Sequence, residues 1–437
     1  MTKRSSIAFG FLALILVGAI ALSSPVARTA GTWGDWSNAL FTACSAVCVT
    51  GLTVVDVGQE FTRMGQVFLL LLVEIGCLGL MTCGTFFLVA IGRRLSLSRE
   101  FSLMNAYGVA EIQGLKGLVF WVVGSTLALE CAGAALLYLR LHDVYQSVFF
   151  VVMSFCNAGF GLYADSLARF ASDPLVLFVL AGETILGGIG FLVLYNLCTY
   201  RFLRRKSGGK GRLSLHSAIM LRFTFYLLVL AFILVVVFEW NGALKDFPPL
   251  QKIMVAFYQA MTPRTCGFTV VPTESLQALT VKAYEALMFI GGGPGSASGG
   301  LKVTTLAVLI YTLRAMCRGD SETIISRRTV PTDVVRESIV IVCVLLASVW
   351  LVNGALAVTE AGRGIGGEAL FFEAVSAVTT TGLSLGDTTV RLSPAGRIVI
   401  MCAMFVGRLG ALTIVMMIGD RESTRRVRFP SEELVVG

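Results

Sequence analysis

Long apolar stretches alternate along this chain with half-length ones. The long stretches come in four pairs: Ile7 to Leu22 with Val67 to Ile91, Leu118 to Leu141 with Leu175 to Leu203, Phe223 to Phe238 with Tyr284 to Leu313, and Ile339 to Val358 with Ile398 to Ile418. A helix needs roughly 20 apolar residues to cross a hydrocarbon core, so each pair reads as two membrane spans. Between the members of each pair lies a segment too short to span: Ala39 to Val49, Val144 to Cys156, Leu250 to Thr262 and Ala369 to Val378. Each ends in small and hydroxyl residues around a glycine, and a segment of that length predicts a re-entrant or interfacial helix. Backbone that breaks its helix at membrane depth must face protein or a water-filled cavity, because lipid cannot satisfy its amides and carbonyls. A pore supplies such a cavity.

Set under one another, the short segments read FTACSAVCVTGLTVVD, FFVVMSFCNAGFGLYAD, FYQAMTPRTCGFTVVP and FFEAVSAVTTTGLSLGD. Four glycines align, Gly51, Gly159, Gly267 and Gly382, separated by 108, 108 and 115 residues. Self-similarity at one period sets the architecture. It predicts an all-α polytopic membrane protein with eight transmembrane helices, built as four span–pore helix–span repeats around a pseudo-fourfold pore. The repeats fall at residues 1–112, 113–212, 213–333, whose second span is broken, and 334–437, which includes the C-terminal tail.

A turn that aims successive carbonyls at one axis needs backbone angles that a Cβ obstructs, and glycine removes the obstruction. Four such turns make a ring of carbonyl dipoles able to replace the water shell of a bare cation, assisted by the partial negative charge at the C-terminal ends of the short helices. The residues expected to bind the ion are therefore Cys48, Val49, Thr50 and Gly51; Cys156, Asn157, Ala158 and Gly159; Thr265, Cys266 and Gly267; and Thr379, Thr380, Thr381 and Gly382. The two residues before each glycine are expected to present the carbonyls. The plain alternative is that each glycine is a helix C-cap. Asp56, Glu60, Asp165, Glu274 and Asp387 fall where they would concentrate cations at the outer mouth, or where they would be solvated loop charges.

Composition agrees with the pattern. Of the 437 residues 56% are hydrophobic and only 14% charged, which excludes an ordinary soluble enzyme. The net charge of +8 does not indicate a nucleic-acid face, because the basic residues sit in short clusters between apolar spans. Placed in the cytoplasm by the positive-inside bias, the clusters at Lys3 and Arg4, Arg93 to Lys116, Arg201 to Arg222, Arg314 to Arg336 and Arg421 to Arg428 put both termini inside. Lys3 and Arg4 before an apolar run also fit a cleaved signal peptide, which would leave the first repeat one helix short. Eleven cysteines, several inside apolar runs, and two histidines form no CxxC pair, disulfide framework or zinc pattern. No HExxH string, paired catalytic carboxylates or serine–histidine dyad points to an intramembrane enzyme. A membrane scaffold gives no reason for four re-entrant glycine turns.

The second span of the third repeat is interrupted by GGGPGSASGG: Gly291, Gly292, Gly293, Pro294, Gly295, Ser296, Ala297, Ser298, Gly299 and Gly300. Six glycines and a proline make a continuous helix improbable. The break begins 24 residues after Gly267, on the cytoplasmic side of the expected filter, where a flexible plug would obstruct conduction until a partner stretches it. A passive kink is the alternative. A phosphate-binding loop is disfavoured because Leu301 separates Gly300 from Lys302. Arg408 lies in an apolar run 26 residues after Gly382, and a charge at membrane depth is a functional candidate. Its alternative is an ion pair with Glu74, Glu183 or Glu285. Lys302 marks the cytoplasmic half of the broken helix, while Glu130 and Glu183 are expected to make helix-to-helix hydrogen bonds without a transport role.

The strings SAVCVTGLTVVD, TPRTCGF, SAVTTTGLS and GGGPGSASGGLKVTT resemble the membrane subunits of the Trk/Ktr/HKT potassium transporters, over essentially the whole chain. The absence of two extra N-terminal spans and a short tail ending SEELVVG resemble the Ktr branch in particular. Cys48, where threonine or serine is commoner, and Pro294, where serine is commoner, depart from the family pattern. The resemblance implies potassium uptake, often sodium-stimulated, through a channel-like pore in the bacterial plasma (inner) membrane, with Arg408 pointing into the conduction path beneath the filter. It further implies a homodimer on a cytoplasmic nucleotide-binding RCK regulatory ring (KtrA-like). The implied chain binds no cofactor covalently; K+ and Na+ are substrate and candidate co-ion, and nucleotide (ATP, ADP or NAD) acts only through the partner.

Overall fold

The structure, a computed structural model, describes residues 5–79, 115–206 and 213–410. The far ends of the stretches expected at Val67 to Ile91 and Ile398 to Ile418 lie outside the described residues, as do the N-terminal pair, Arg93 to Arg99 and Arg421 to Arg428 of the basic clusters.

The first repeat comprises α1 (Ser5–Ser23), α2 (Trp36–Val47), a single turn α3 (Val57–Glu60) and α4 (Arg63–Leu78). The second comprises α5 (Leu115–Leu141), α6 (Val144–Phe155), α7 (Pro174–Ile189) and α8 (Phe191–Lys206). In the third, α9 (Leu215–Glu239), α10 (Pro249–Gln259), α11 (Ala278–Phe289) and α12 (Val303–Arg318) are followed by a two-stranded hairpin, β1 (Ile324–Ile325) and β2 (Arg328–Thr329). The fourth holds α13 (Thr332–Thr359), α14 (Gly367–Thr379), a turn α15 (Thr388–Arg391) and α16 (Pro394–Leu409). Among the described residues, α9, α13 and residues Val119–Leu141 of α5 are long and apolar enough to cross a membrane, and the bent pair α7 and α8 reaches that length and hydropathy only when its two helices are taken together. Leu139, Leu351 and Val358 stay exposed on these helices, the expected placing for lipid-facing positions.

The half-length segments all fold as short helices, and their first turns show why they start where they do. Asp35 accepts from Ser37 N at 2.9 Å ahead of α2, Asp143 accepts from Tyr145 N at 2.8 Å ahead of α6, and Pro249 opens α10. Each packs on the long helix preceding it: α2 on α1, α6 on α5, α10 on α9 and α14 on α13. Between repeats, the helix after each turn reaches the next repeat's short helix, α4 to α6, α7 to α10, α11 to α14, and α16 back to α2. The core therefore closes on itself in chain order, with the four short helices innermost. Phe41, Phe149, Phe155, Tyr258 and Phe372, all on short helices, are fully buried there.

One expectation fails. Leu175 to Leu203 is not a continuous span: the chain bends by 96° between α7 and α8. The cause is Gly190, at φ +100° and ψ 140°, angles closed to a residue with a Cβ. The helices after the other three turns stop at matching points. α4 ends at Gly79 (φ +80°, ψ 139°), α16 at Gly410 (φ +82°, ψ 143°), and α11 at Ile290 just before the glycine-rich string.

Candidate functional site: a ring of four turns and the loop beneath it

The short helices end in one shared backbone pattern. Val49, Asn157, Thr265 and Thr380 adopt φ of +55°, +55°, +61° and +51°, and the glycine two residues later adopts φ of +92°, +65°, +76° and +84°. In the first, second and fourth turns a 6→1 hydrogen bond closes the helix, from Thr50 N to Ser45 O at 2.8 Å, Ala158 N to Met153 O at 2.9 Å and Thr381 N to Ser376 O at 2.8 Å. That is a Schellman closure whose left-handed residue is Val49, Asn157 or Thr380. The glycines are therefore not C-caps: they lie beyond the cap, and the alternative reading of them fails on geometry. A β-branched residue in the left-handed region is a true outlier, costing about 1–2 kcal/mol. Val49, Thr265 and Thr380 all carry that cost, and strain of this kind persists only where the surroundings impose it.

The neighbouring turns crowd the glycines. A Cβ built on Gly51 would collide with the Ala158 carbonyl; on Gly159 it would stand 3.2 Å from Cys266 O; on Gly267, 3.2 Å from Thr381 O; on Gly382 it would collide with the Thr50 carbonyl. The four turns thus abut in cyclic order, each glycine against the carbonyl of the residue preceding the next glycine. Thr50, Ala158, Cys266 and Thr381 are four of the eight residues expected to present carbonyls. Cys48, Cys156 and Thr379 sit at the ends of α2, α6 and α14, fully buried.

Above the ring lies a cavity of about 640 Å³ lined by all four glycines and by Asp56, Glu274 and Asp387. The other two expected mouth carboxylates are committed elsewhere. Glu60 is ion-paired with Arg28, and Asp165 pairs with Arg169 at 2.8 Å, which holds the Asp165 carboxyl below the usual range.

Beneath the ring the glycine-rich string forms a closed loop. Its ends meet, Gly291 N donating to Leu301 O and Leu301 N to Phe289 O, both at 3.0 Å. Its body is pinned to the bend in the second repeat: Gly293 N donates to Gly188 O at 2.9 Å and Phe191 N to Gly295 O at 3.1 Å. Its far side touches the turns. Ser298 Oγ and the Asn157 amide lie 3.2 Å apart, with the amide best oriented to accept, and a Cβ on Gly299 would press on the Thr379 carbonyl.

Two cations hold this loop. Arg408 donates to Ala297 O in the loop and to Gly76 O and Cys77 O at the end of α4, the last at 3.3 Å. Lys302 Nζ donates to Ser298 O at 2.6 Å. The suggested pairing of Arg408 with Glu74, Glu183 or Glu285 is not what the structure contains, since the guanidinium is satisfied by backbone carbonyls. Sequence reasoning passed over a third cation, Arg264, which donates to Gly291 O at 3.5 Å at the loop's first hinge. The repeat alignment carried the signal: three residues before its glycine, the third repeat has Arg264 where the others have Cys48, Cys156 and Thr379.

The arrangement can hold a desolvated cation against carbonyl oxygens and can close the path below it with a charged plug. Comparison with known proteins agrees with a transport role. The family model described as "TrkH: Cation transport protein" matches residues 12–426. The chain is similar to Ktr system potassium uptake protein B of Bacillus subtilis, with 34% identity over 100% of this chain and 97% of that protein. It is also similar to potassium/sodium uptake protein NtpJ of Enterococcus hirae, with 31% identity over 99% and 96%. Among solved structures, the potassium transporter TrkH from Vibrio parahaemolyticus shares the fold at a TM-score of 0.73 and 16% identity, over 96% of this chain and 86% of that one.

Proposed function

This chain belongs to the TrkH family of cation transport proteins, not to a family of enzymes, and from that membership we propose that it is the ion-translocating subunit of a bacterial potassium uptake system. Potassium passes through a filter of backbone carbonyls at the four glycine turns, in a pseudo-fourfold pore of four repeats and eight spans in the plasma membrane, both termini cytoplasmic. The single observation that carries this reading is the closed ring: four turns that share one left-handed backbone pattern, each glycine packed against the next turn's carbonyl, under an acidic outer cavity. Carbonyl oxygens so arranged replace a hydration shell. The names of the Bacillus and Enterococcus relatives support potassium as the ion and sodium as a second candidate.

The intramembrane loop 291–300, with Arg408 and Lys302, is the gate in this reading. It lies across the inner face of the ring, carries a positive barrier and is tied by hydrogen bonds rather than by a continuous helix. The subunit works as a homodimer on a cytoplasmic RCK ring, which supplies the nucleotide response. The basic segments between repeats, such as Arg314 to Arg336, offer the docking charge, and the Ktr "system" in the relatives' names supports a multi-component assembly.

The test is rubidium and sodium tracer flux into liposomes holding the purified chain. Gly51→Ser and Gly382→Ser should insert and fold yet lose discrimination between the two ions, since each Cβ would displace the adjacent carbonyl. Unchanged discrimination in both variants sinks the filter assignment.

A further inference from the structure

Behind the second turn two carboxylates and a thiol from three elements converge, and among the described residues no lysine or arginine forms an ion pair with them, although Arg408, held on Gly76 O and Cys77 O, is close enough to act on Cys156 electrostatically. Glu74 on α4, Glu130 on α5 and Cys156 at the end of α6 each offer one ligand atom, all within 4.8 Å of one another. Cys156 Sγ donates to Glu74 Oε2 at 3.2 Å. This contact does not satisfy the cluster. Glu130 is 6% exposed and its Oε1 has no hydrogen-bond partner; Glu74 Oε1 is likewise buried and unpartnered.

A fourth group adds an independent indication. Glu183 on α7, also 6% exposed, lies against Gly133, one turn beyond Glu130 on the same helix, and is close enough to act on Glu130 electrostatically. Its Oε2 is buried with no partner. The Glu74 and Glu130 carboxyls are within hydrogen-bonding reach of each other, so a shared proton satisfies part of the cluster, and a positive ligand that displaces it would satisfy the remaining buried oxygens.

We propose that Glu74, Glu130 and Cys156 form a binding site for one divalent transition metal of the zinc class, with Glu183 facing it as a further oxygen donor. Two carboxylates and the thiolate bring three negative charges to a 2+ ion, a surplus of one that the nearby Arg408 offsets while Glu183 donates as a neutral carboxyl; a thiolate favours zinc or cadmium over magnesium or calcium, which prefer oxygen alone. On binding, the thiol proton and any proton held between the carboxyls leave to solvent, and the metal–sulfur bond forms in their place. The inference does not depend on the chain's being a potassium transporter, and its test reads metal binding rather than flux.

The experiment uses the full chain in nanodiscs, with cadmium as the probe and Cys83, Cys131, Cys198, Cys317, Cys343 and Cys402 replaced by serine. One cadmium per chain should bind and produce a thiolate-to-metal charge-transfer band in the ultraviolet. Cys156→Ser should abolish the band, and Glu130→Gln should weaken binding by at least ~10-fold, the scale seen even for outer-shell partners. Should either variant not fold, X-ray absorption of the cadmium-loaded parent decides the matter: one sulfur with two or more oxygens supports the site, and a shell without sulfur overturns it. Absence of binding in the parent, or equal affinity in both variants, means that the carboxyls only share protons, and the proposal falls.

Discussion

Arg408 brings a full charge to the underside of four turns of which only the third carries a charge, Arg264, and the structure satisfies it with carbonyl oxygens from two different elements. Hydrogen bonds to a charged group are worth about 1.5–3 kcal/mol each, so the guanidinium is a strong tie between the loop and the end of α4. Arg408→Gln keeps one donor group but loses the fork and the charge. Rubidium flux in the absence of any partner should then rise several-fold while thermal unfolding shifts downward, both measured on the purified chain. A fall in flux with normal folding would mean that Arg408 helps conduction instead of opposing it. Arg408 was readable in the sequence as a candidate, because a lone charge in an apolar run is conspicuous. What it binds was not, since carbonyls carry no residue identity. Arg264 was readable in principle yet hidden inside the motif TPRTCGF, where it looks like one variable residue among several.

At the scale of elements, the loop and the bend of the second repeat are one structure. Gly190 turns the chain through its 96° corner, and the amides and carbonyls freed by that corner pair with Gly293, Gly295 and Ala297. Two interruptions at the same depth satisfy each other's backbone, which lipid could not do. The glycine-rich string declared its own break, with six glycines and a proline. The corner at Gly190 did not, because GGIG sits inside an apolar run whose composition suits a continuous span, and tertiary pairing decided the outcome. The four glycine turns were legible in the sequence, whereas the left-handed Val49, Thr265 and Thr380 were not, since local propensity disfavours β-branched residues there. Because Phe289 and Leu301 are already hydrogen-bonded neighbours, deletion of Gly291 to Gly300 should leave the flanking helices able to join. Partner-free rubidium flux should exceed that of the parent chain. A folded deletion variant with equal or lower flux would make the loop a passive plug of the fold and not a gate.

Over the whole molecule, charge is divided between the two faces of the ring. Asp56, Glu274 and Asp387 line the cavity above, while Arg264, Lys302 and Arg408 hold the loop below. A cavity walled by low-dielectric protein focuses the field of such carboxylates and raises the local cation concentration. The effect is long-ranged and so depends on screening, with a Debye length of about 30 Å at 0.01 M salt and about 3 Å at 1 M. The variant Asp56→Asn, Glu274→Gln, Asp387→Asn removes three charges while keeping similar shapes. Asparagine also preserves the cap that Asp56 gives to α3, where it accepts from Gly58 N at 2.9 Å. Rubidium uptake should fall several-fold at low ionic strength and hardly at all at high. Asp165→Asn, whose charge is already matched by Arg169, should change uptake little under either condition. A loss equal at both salt concentrations would locate the defect in the ring's geometry, since screening can abolish an electrostatic gain but leaves a displaced carbonyl where it is.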